Sequence, residues 1–233
     1  MKGYNGQKGF SLAELAIVIT IIGLLVGGIL GGISLRRNLQ IKTMMDEVSR
    51  LTQAFSQFKE IYHFAPGDMW NAVSTFGSAT LNGNGNELID TLAEQSLVFQ
   101  HLALAGLISG EYTTNWATST QSNSSIAQGK YFFWNSLVGQ AALNHNFINI
   151  ARIADLNNDG IISGNTEAYR SILTSEEMRS LDQKYDDSMP TTGFITATNG
   201  FDAVINSCVN LGSYVVGSNH LHCIFAIAID KQF

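Results

Sequence analysis

A segment in the second half of the chain has the residue spacing of a calcium-binding loop. Oxygen-bearing side chains occupy its first, third and fifth positions, a glycine occupies the sixth, and a backbone carbonyl is available at the seventh, as in an EF-hand opening. The twelfth position is Thr166, and the nearest acid comes one residue later. The alternative interpretation is an Asn/Asp-Gly turn between strands. Calcium is therefore a candidate cofactor, and no cofactor is required by the sequence. The candidate ligands are Asp155, Asn157, Asp159, Ile161 and Glu167.

Two other groups of potential ligands are less specific. Asp182, Asp186 and Asp187 could bind a cation or form a catalytic carboxylate pair, but no nucleophile, nearby histidine or phosphate-binding loop accompanies them. A solvated or capping role is therefore favoured for these three acids. His220 and His222 alternate as same-side residues of a strand would and could share a metal ion, although surface recognition is the favoured role without a third ligand. Since no catalytic constellation is present, we expect a protein that is not an enzyme.

The two cysteines, Cys208 and Cys223, lie near the C-terminus with fourteen residues between them. In an exported chain, a pair at this spacing indicates a disulfide. A disulfide that closes a loop of this size contributes about 3 kcal/mol to stability in the chain-entropy account. The alternative is a pair of free core thiols, which requires the C-terminal region to lie in the cytosol.

An unbroken apolar run near the N-terminus extends from Leu15 to Leu35. It contains 21 residues and no Lys, Arg, Asp, Glu or Pro. An α-helix rises about 1.5 Å per residue, so this run can cross a hydrocarbon core about 30 Å thick. Glu14 lies directly before the run. Placing an acid inside a membrane costs free energy, so such a residue is a candidate functional residue. The alternative is that Glu14 lies among the lipid head groups and has no special role.

The residues around this acid resemble a known export signal. The basic leader 1–9, the following Phe10 and the acid at Glu14 are similar to the class III signal of type IV pilins and type II secretion pseudopilins. The resemblance implies that prepilin peptidase cuts between Gly9 and Phe10 and methylates the new amino terminus. It also implies that Glu14 pairs with the amino terminus of a neighbouring subunit. An ordinary signal peptide is cut after its apolar stretch, whereas this apolar helix would be retained.

Apolar residues continue beyond the membrane run at spacings of three and four, which predicts one helix from Phe10 to about Tyr62. Pro66 and Gly67 follow, and proline cannot continue a helix. The resemblance implies an α+β, pilin-like fold, in which the second half of this helix packs against a head with an antiparallel β-sheet. The predicted segments are a leader (1–9), a transmembrane half-helix (10–35), an amphipathic half-helix (36–62) and a globular head with a C-terminal cysteine loop (63–233).

Within the head, the sequence predicts a loop-rich start at 63–125 that includes one or two helices between Glu87 and Ile108. An exposed polar excursion is expected at 113–128. Two segments, 100–112 and 181–193, also resemble a group of bacterial prepilin-type proteins, in which a glycine usually occupies the position of Ser188 and the second segment is a turn before a strand. The strand candidates are Lys130–Trp134, Phe147–Ile153, Gly193–Ala197, Phe201–Ile205 and Ile224–Ile229.

Charge and resemblance together restrict the function. Without residues 1–9 the chain keeps 11 basic and 19 acidic side chains, a net charge near −8, which argues against general nucleic-acid binding. The resemblance implies a structural subunit, major or minor, of a type IV pilus-like filament. Its partners would be itself and other pilins, prepilin peptidase, an inner-membrane assembly platform and the lipid bilayer. The head would lie in the periplasm before assembly, and then in a pilus or pseudopilus. A type II secretion pseudopilin and a non-polymerising, membrane-tethered periplasmic binding protein are the alternatives.

Overall fold

The computed structural model describes residues 11–112, 122–123, 129–134, 145–153, 169–217 and 220–229. The fold is α+β, with a long N-terminal helix followed by a region that contains an antiparallel β-sheet, as the sequence predicts. The helices are α1 (Leu12–Tyr62), α2 (Ala72–Phe76), α3 (Leu92–Leu104) and α4 (Ser175–Tyr185). The strands are β1 (Ser122–Asn123), β2 (Gly129–Trp134), β3 (Phe147–Ile153), β4 (Tyr169–Arg170), β5 (Ile195–Asn199), β6 (Val209–Asn210), β7 (Ser213–Tyr214) and β8 (Cys223–Ala228).

The chain divides into two compact units between Thr43 and Met44, inside α1. The first unit holds the apolar part of α1. The second unit holds the rest of α1 together with the sheet, so it begins within the segment that the sequence assigns to the amphipathic half-helix. The apolar stripe predicted for that half is buried at Met44, Met45, Val48, Leu51, Phe55 and Phe58.

The main sheet has the strand order β1-β2-β3-β8-β5, with β4 beside β3. Cross-strand partners share a face, and the register therefore gives the sheet two apolar faces. On one face Ala151, Ala226 and Ala228 pack with Phe132, Phe147 and Ile224. Both faces of β8 are covered and all six of its residues are buried, as expected for a continuous apolar strand. The other face comprises Tyr131, Phe133, Ile148, Ile150, Ile195, Ala197, Phe225 and Ile227.

Helix α1 is attached to this face through β2. The ring of Phe55 stacks on that of Phe133 with centroids 5.7 Å apart. The hydroxyl of Tyr131 donates to the carbonyl of Met44 at 3.3 Å and to the carboxylate of Glu47. The side chains of Phe55, Tyr131 and Phe133 are buried, and burial of one large apolar side chain is worth about 1.5–3 kcal/mol. The second half of α1 is therefore part of the core of the sheet unit.

Four of the five strand predictions are confirmed within two residues at each end, and the fifth is wrong. The predicted strand Phe201–Ile205 forms turns, in which the N–H of Ala203 donates to the carbonyl of Gly200 at 3.0 Å. The carboxylate of Asp202 also accepts the backbone N–H of Ser171 at 2.6 Å. The N–H of Phe201 donates to the carbonyl of Tyr169 in β4 at 3.0 Å, so this segment makes turns and a single bond to β4 instead of a strand ladder.

Helix α4 was not predicted from the sequence, although its start carries a recognisable signal. The hydroxyl of Thr174 accepts the N–H of Glu177 at 3.1 Å, and the Glu177 carboxylate accepts the N–H of Thr174 at 2.9 Å. This reciprocal pair is a capping box, which a Ser/Thr-x-x-Glu pattern before a helix indicates. The same device, Thr91 with Glu94, begins α3 inside the predicted segment Glu87–Ile108.

Candidate functional site

The first turn of α1 places Ser11 and Glu14 against each other. The N–H of Ser11 donates to the Glu14 carboxylate at 2.8 Å, and the N–H of Glu14 donates to the Ser11 hydroxyl at 3.2 Å. This capping box satisfies two of the N–H groups that a helix start leaves unpaired. Ser11 was not identified from the sequence, although the Ser-x-x-Glu spacing that it forms with Glu14 is the signal of such a cap. Gly9 and Phe10, the predicted cleavage position, lie outside the described residues.

The segment that follows this cap, Leu12–Ile29, is long and apolar enough to cross a membrane. None of it is buried within the chain. Its polar hydroxyl at Thr20 donates to the carbonyl of Ala16 at 2.8 Å, so the side chain is paired inside the helix. A helix that is apolar on all sides and uncovered by its own chain requires an apolar environment, such as lipid or neighbouring helices.

Cys208 and Cys223 form a disulfide with their Cα atoms 5.1 Å apart, as predicted for an exported chain. Cys223 is the first residue of the central strand β8, whereas Cys208 lies just before the hairpin of β6 and β7. Both residues are fully buried. The disulfide therefore attaches the C-terminal loop to the middle of the sheet.

The three clustered acids organise a turn, which agrees with the capping role that the sequence favoured beside a solvated one. Asp182 is fully buried and not solvated. Its carboxylate accepts the hydroxyl of Tyr214 at 2.5 Å and the N–H of Ser188 at 3.0 Å. Asp182 therefore links the segment that follows α4 to strand β7. Burial raises the pKa of Asp182, and burial with the Asp182 bond raises the pKa of Tyr214.

The other two acids support the turn that leads into β5, as the resemblance implied. Asp186 accepts the N–H groups of Phe194 and Ile195, each at 2.7 Å. Asp187 accepts the N–H of Met189 at 2.8 Å. Ligand oxygens of all three acids lie within 4.8 Å of one another. Because the carboxylates already accept these hydrogen bonds, their arrangement is explained by the turn.

The departure from the resembled group at Ser188 coincides with an unusual backbone conformation. Ser188 has φ +66°, in the left-handed region that favours glycine. Gly193 in the same turn has φ +71°, and a Cβ atom there would lie 2.0 Å from the Asp186 carboxylate. Glycine is therefore required at 193, whereas the serine at 188 is accommodated with strain.

His220 and His222 precede β8 and do not lie on a strand, which corrects the alternation argument. Their ring centroids are 6.2 Å apart. Within the residues that the structure describes, no third histidine, cysteine or carboxylate joins them in a metal-ligand cluster.

The candidate calcium ligands Asp155, Asn157, Asp159, Ile161 and Glu167 lie outside the described residues. Their flanks are described: Ile153 at the end of β3 pairs with Tyr169 at the start of β4 in an antiparallel ladder. The segment between them thus connects two adjacent strand ends. Both sequence interpretations, a calcium loop and a turn between strands, are compatible with this position.

The calcium-loop interpretation predicts that saturating calcium raises the Tm of the full chain in detergent micelles. A ligand at 100 times its Kd stabilises the folded state by about 2.7 kcal/mol, which corresponds to a rise of about 5–10 °C for a chain of this size. Asp155→Ala combined with Asp159→Ala should abolish the difference between calcium and chelator. Asp46→Ala, an exposed acid on α1, is the control and should retain it. If the wild-type chain has the same Tm in calcium and in chelator, the calcium-loop interpretation is wrong and the turn between strands remains.

One buried histidine, His101 on α3, is surrounded by hydrogen-bonding and aromatic groups. Its Nδ1 accepts the N–H of Gly67 at 2.9 Å, and its Nε2 lies 3.1 Å from the Thr80 hydroxyl. Its ring lies beside those of Phe58 and Phe76, with centroids 6.1 and 5.9 Å away. Desolvation lowers the pKa of His101 from 6.5 to about 4. It therefore acts as a neutral structural group that links α1, α3 and the loop after α1.

Comparison with known protein families gives a match at the N-terminus. The family model described as prokaryotic N-terminal methylation motif matches residues 4–30, which include the second part of the leader, the Ser11–Glu14 cap and most of the apolar run of α1. No curated protein and no solved structure matched the chain.

Proposed function

Because this chain carries the prepilin-type signal of type IV pilins and pseudopilins, we propose that it is a structural subunit, major or minor, of a type IV pilus-like filament. The signal implies processing by prepilin peptidase and assembly with other pilins. The observation that carries the proposal is the position of this signal directly before an apolar helix that its own chain leaves uncovered. Neighbouring helices in a filament would cover that helix, and the bilayer would cover it before assembly.

Within this class we favour a pilus over a type II secretion pseudopilus, because the large head and its disulfide loop resemble those of pilins more than those of pseudopilins. The membrane half-helix would be residues 10–35, followed by the amphipathic half at 36–62 and the head at 63–233. The Cys208–Cys223 disulfide supports a periplasmic head, since disulfides persist in oxidising compartments. The protein would have no catalytic role, and structural calcium is the only cofactor proposed.

Glu14 has two roles in this proposal, one in the free subunit and one in the filament. In the subunit its carboxylate accepts the N–H of Ser11 and caps α1. Cleavage after Gly9 would create an ammonium group on Phe10, which needs a negative partner if it is buried among apolar helices. The Glu14 of a neighbouring subunit would supply that charge and so set the register between adjacent helices.

We expect Glu14→Ala to insert into the membrane and fold normally but to be poorly incorporated into filaments. Removing one partner of a buried charge pair costs about 3–5 kcal/mol, which at about 1.4 kcal/mol per factor of ten would reduce incorporation about a hundredfold or more. The measurement is the ratio of sheared-filament yield to mature chain in the membrane, at matched expression.

Ser11→Ala is the matched control, because it removes the hydroxyl of the cap and leaves the carboxylate in place. It should retain most filament assembly if the charge of Glu14 pairs with a neighbour. An equal loss in both variants would mean that Glu14 only caps its own helix. Wild-type chain that is absent from sheared filaments, in cells that make them, would instead support a membrane-tethered binding protein.

A further inference from the structure

Three basic side chains follow the apolar run of α1 and have no acid close to them in sequence. They are Arg36, Arg37 and Lys42, whereas residues 15–45 contain no Asp or Glu. Arg36 and Lys42 are exposed, and Arg37 is partly exposed. All three belong to the N-terminal compact unit, in which the chain leaves the apolar part of the helix uncovered. We call these three residues the basic cluster.

The length of the apolar helix places the basic cluster at one edge of a bilayer. Helix α1 is continuous through this region, and at about 1.5 Å per residue Arg36 lies about 33 Å along the axis from Glu14. A hydrocarbon core is about 30 Å thick. A helix that crosses it upright with Glu14 at one boundary therefore has Arg36 and Arg37 at the other boundary, and Lys42 about 9 Å further out.

The geometry of an α-helix also directs these side chains toward the membrane. Each Cα–Cβ bond in a helix is tilted toward the N-terminus, and the apolar span lies on the N-terminal side of the basic cluster. Long Lys and Arg side chains keep their methylene groups against apolar surface and extend the charge into the polar layer. Lys42 can thus reach back to the head groups that Arg36 and Arg37 contact directly.

The positions of the three residues around the helix favour lipid over a single protein partner. A helix turns about 100° per residue, so Arg37 is about 100° and Lys42 about 240° around the axis from Arg36. A protein partner on one side of the helix would contact only part of the basic cluster. Lipid head groups surround the helix and can contact every member of the cluster.

The distribution of charge along the chain identifies the kind of lipid. The first acids beyond the basic cluster are Asp46 and Glu47, which lie about 15 Å or more beyond Arg36 and therefore outside the head-group layer. Removal of the leader would also take away both lysines on the other side of the span. The mature chain would then carry its membrane-proximal basic side chains on the head side alone, where anionic head groups attract Lys and Arg.

We propose that the basic cluster binds the phosphate groups of anionic lipids, such as phosphatidylglycerol, on the head side of the membrane before assembly. The inference rests on the proposed function in one respect, since it takes α1 to span the membrane with the head outside. The lipid contact fixes the depth of the unassembled subunit in the bilayer. Entry into a filament then exchanges anionic lipid for neighbouring chains at these three residues.

Photo-cross-linking to lipid tests this contact with the full chain in nanodiscs. The nanodiscs consist of phosphatidylcholine with a small fraction of photoactivatable phosphatidylglycerol or, separately, of photoactivatable phosphatidylcholine. Mass spectrometry should show more phosphatidylglycerol than phosphatidylcholine adducts on residues 32–46, and salt at about 0.5 M should reduce the excess because it screens the charges. One basic residue near an anionic surface contributes about a fivefold preference, so the three together predict an excess between severalfold and about a hundredfold.

Arg36→Gln combined with Arg37→Gln and Lys42→Gln should remove this excess. Arg50→Gln combined with Lys59→Gln is the control and should keep it, because it removes charges of the same helix beyond the head-group layer. Equal labelling by the two lipids in wild type, an excess that survives in the triple variant, or an equal loss in the control would overturn the proposal. Failure to form filaments would contradict only the proposed function, because labelling in nanodiscs requires no assembly. A wild-type chain that alkaline carbonate extracts from cell membranes would overturn both.

Discussion

Gly9→Val should leave the whole chain in the membrane with its leader attached. A branched side chain at the cleavage position obstructs the peptidase, so the leader with Lys2 and Lys8 is retained and no ammonium group is created on Phe10. Without that group the proposed pair with Glu14 of a neighbour cannot form, and filament yield should fall to almost nothing. Intact-mass spectrometry of the membrane fraction measures processing, and shearing measures assembly.

Gly6→Val is the matched control, because it places the same side chain three residues upstream of the cleavage position. It should be processed, and its mature N-terminus should be N-methylated Phe10, as in wild type. A wild-type mature chain that begins at any other residue would contradict the cleavage prediction. A Gly9→Val chain that still loses residues 1–9 would show that this glycine does not control cleavage.

Acid should destabilise the folded chain through His101 between pH 6.5 and about 4. The Thr80 hydroxyl donates to the Gln100 side chain at 2.9 Å, so it accepts the Nε2 proton of His101, and Nδ1 must stay unprotonated to accept the Gly67 N–H. A second proton would break the Gly67 bond and place a charge between aromatic rings. Burial therefore lowers the pKa of the folded imidazole to about 4.

The sign of the effect follows from the two pKa values. Between about pH 4 and pH 6.5, the unfolded chain binds a proton at His101 that the folded chain does not, so the free energy of unfolding decreases as pH falls. At about 1.36 kcal/mol per pKa unit, the loss over this window is about 3 kcal/mol. Urea unfolding of the full chain in detergent, measured at intervals through this window, gives the slope.

His101→Gln removes the titrating group and should flatten this slope while lowering stability at neutral pH. Burial raises the pKa of Asp68, Glu94 and Asp182, and these carboxyls respond in the opposite sense. They are present in both chains, so the difference between wild type and variant isolates His101. His63→Asn, an exposed histidine with φ +63°, is the control and should keep the wild-type slope. An equal slope in wild type and His101→Gln would refute the prediction.

Features that depend on neighbouring residues along the chain were determined by the sequence alone. The spacing of apolar residues predicted α1 to its last residue, Tyr62, because a helix satisfies its own backbone and needs only one apolar stripe. The apolar runs of β2, β3 and β8 were predicted because runs of this composition are buried whichever strands lie beside them. The methylation motif was predicted because its glycine, phenylalanine and acid lie within a few residues of one another.

Only the tertiary structure decided which polar groups are buried and which apolar groups are left outside. Asp68 is fully buried, and its carboxylate accepts the N–H groups of Gly85, Asn86 and Glu87, far from it in sequence. The apolar segment Phe201–Ile205 looked like a strand, yet it forms turns, and β5 occupies the edge beside β8. Such outcomes depend on pairings between distant segments, and local residue patterns contain no information about the partner.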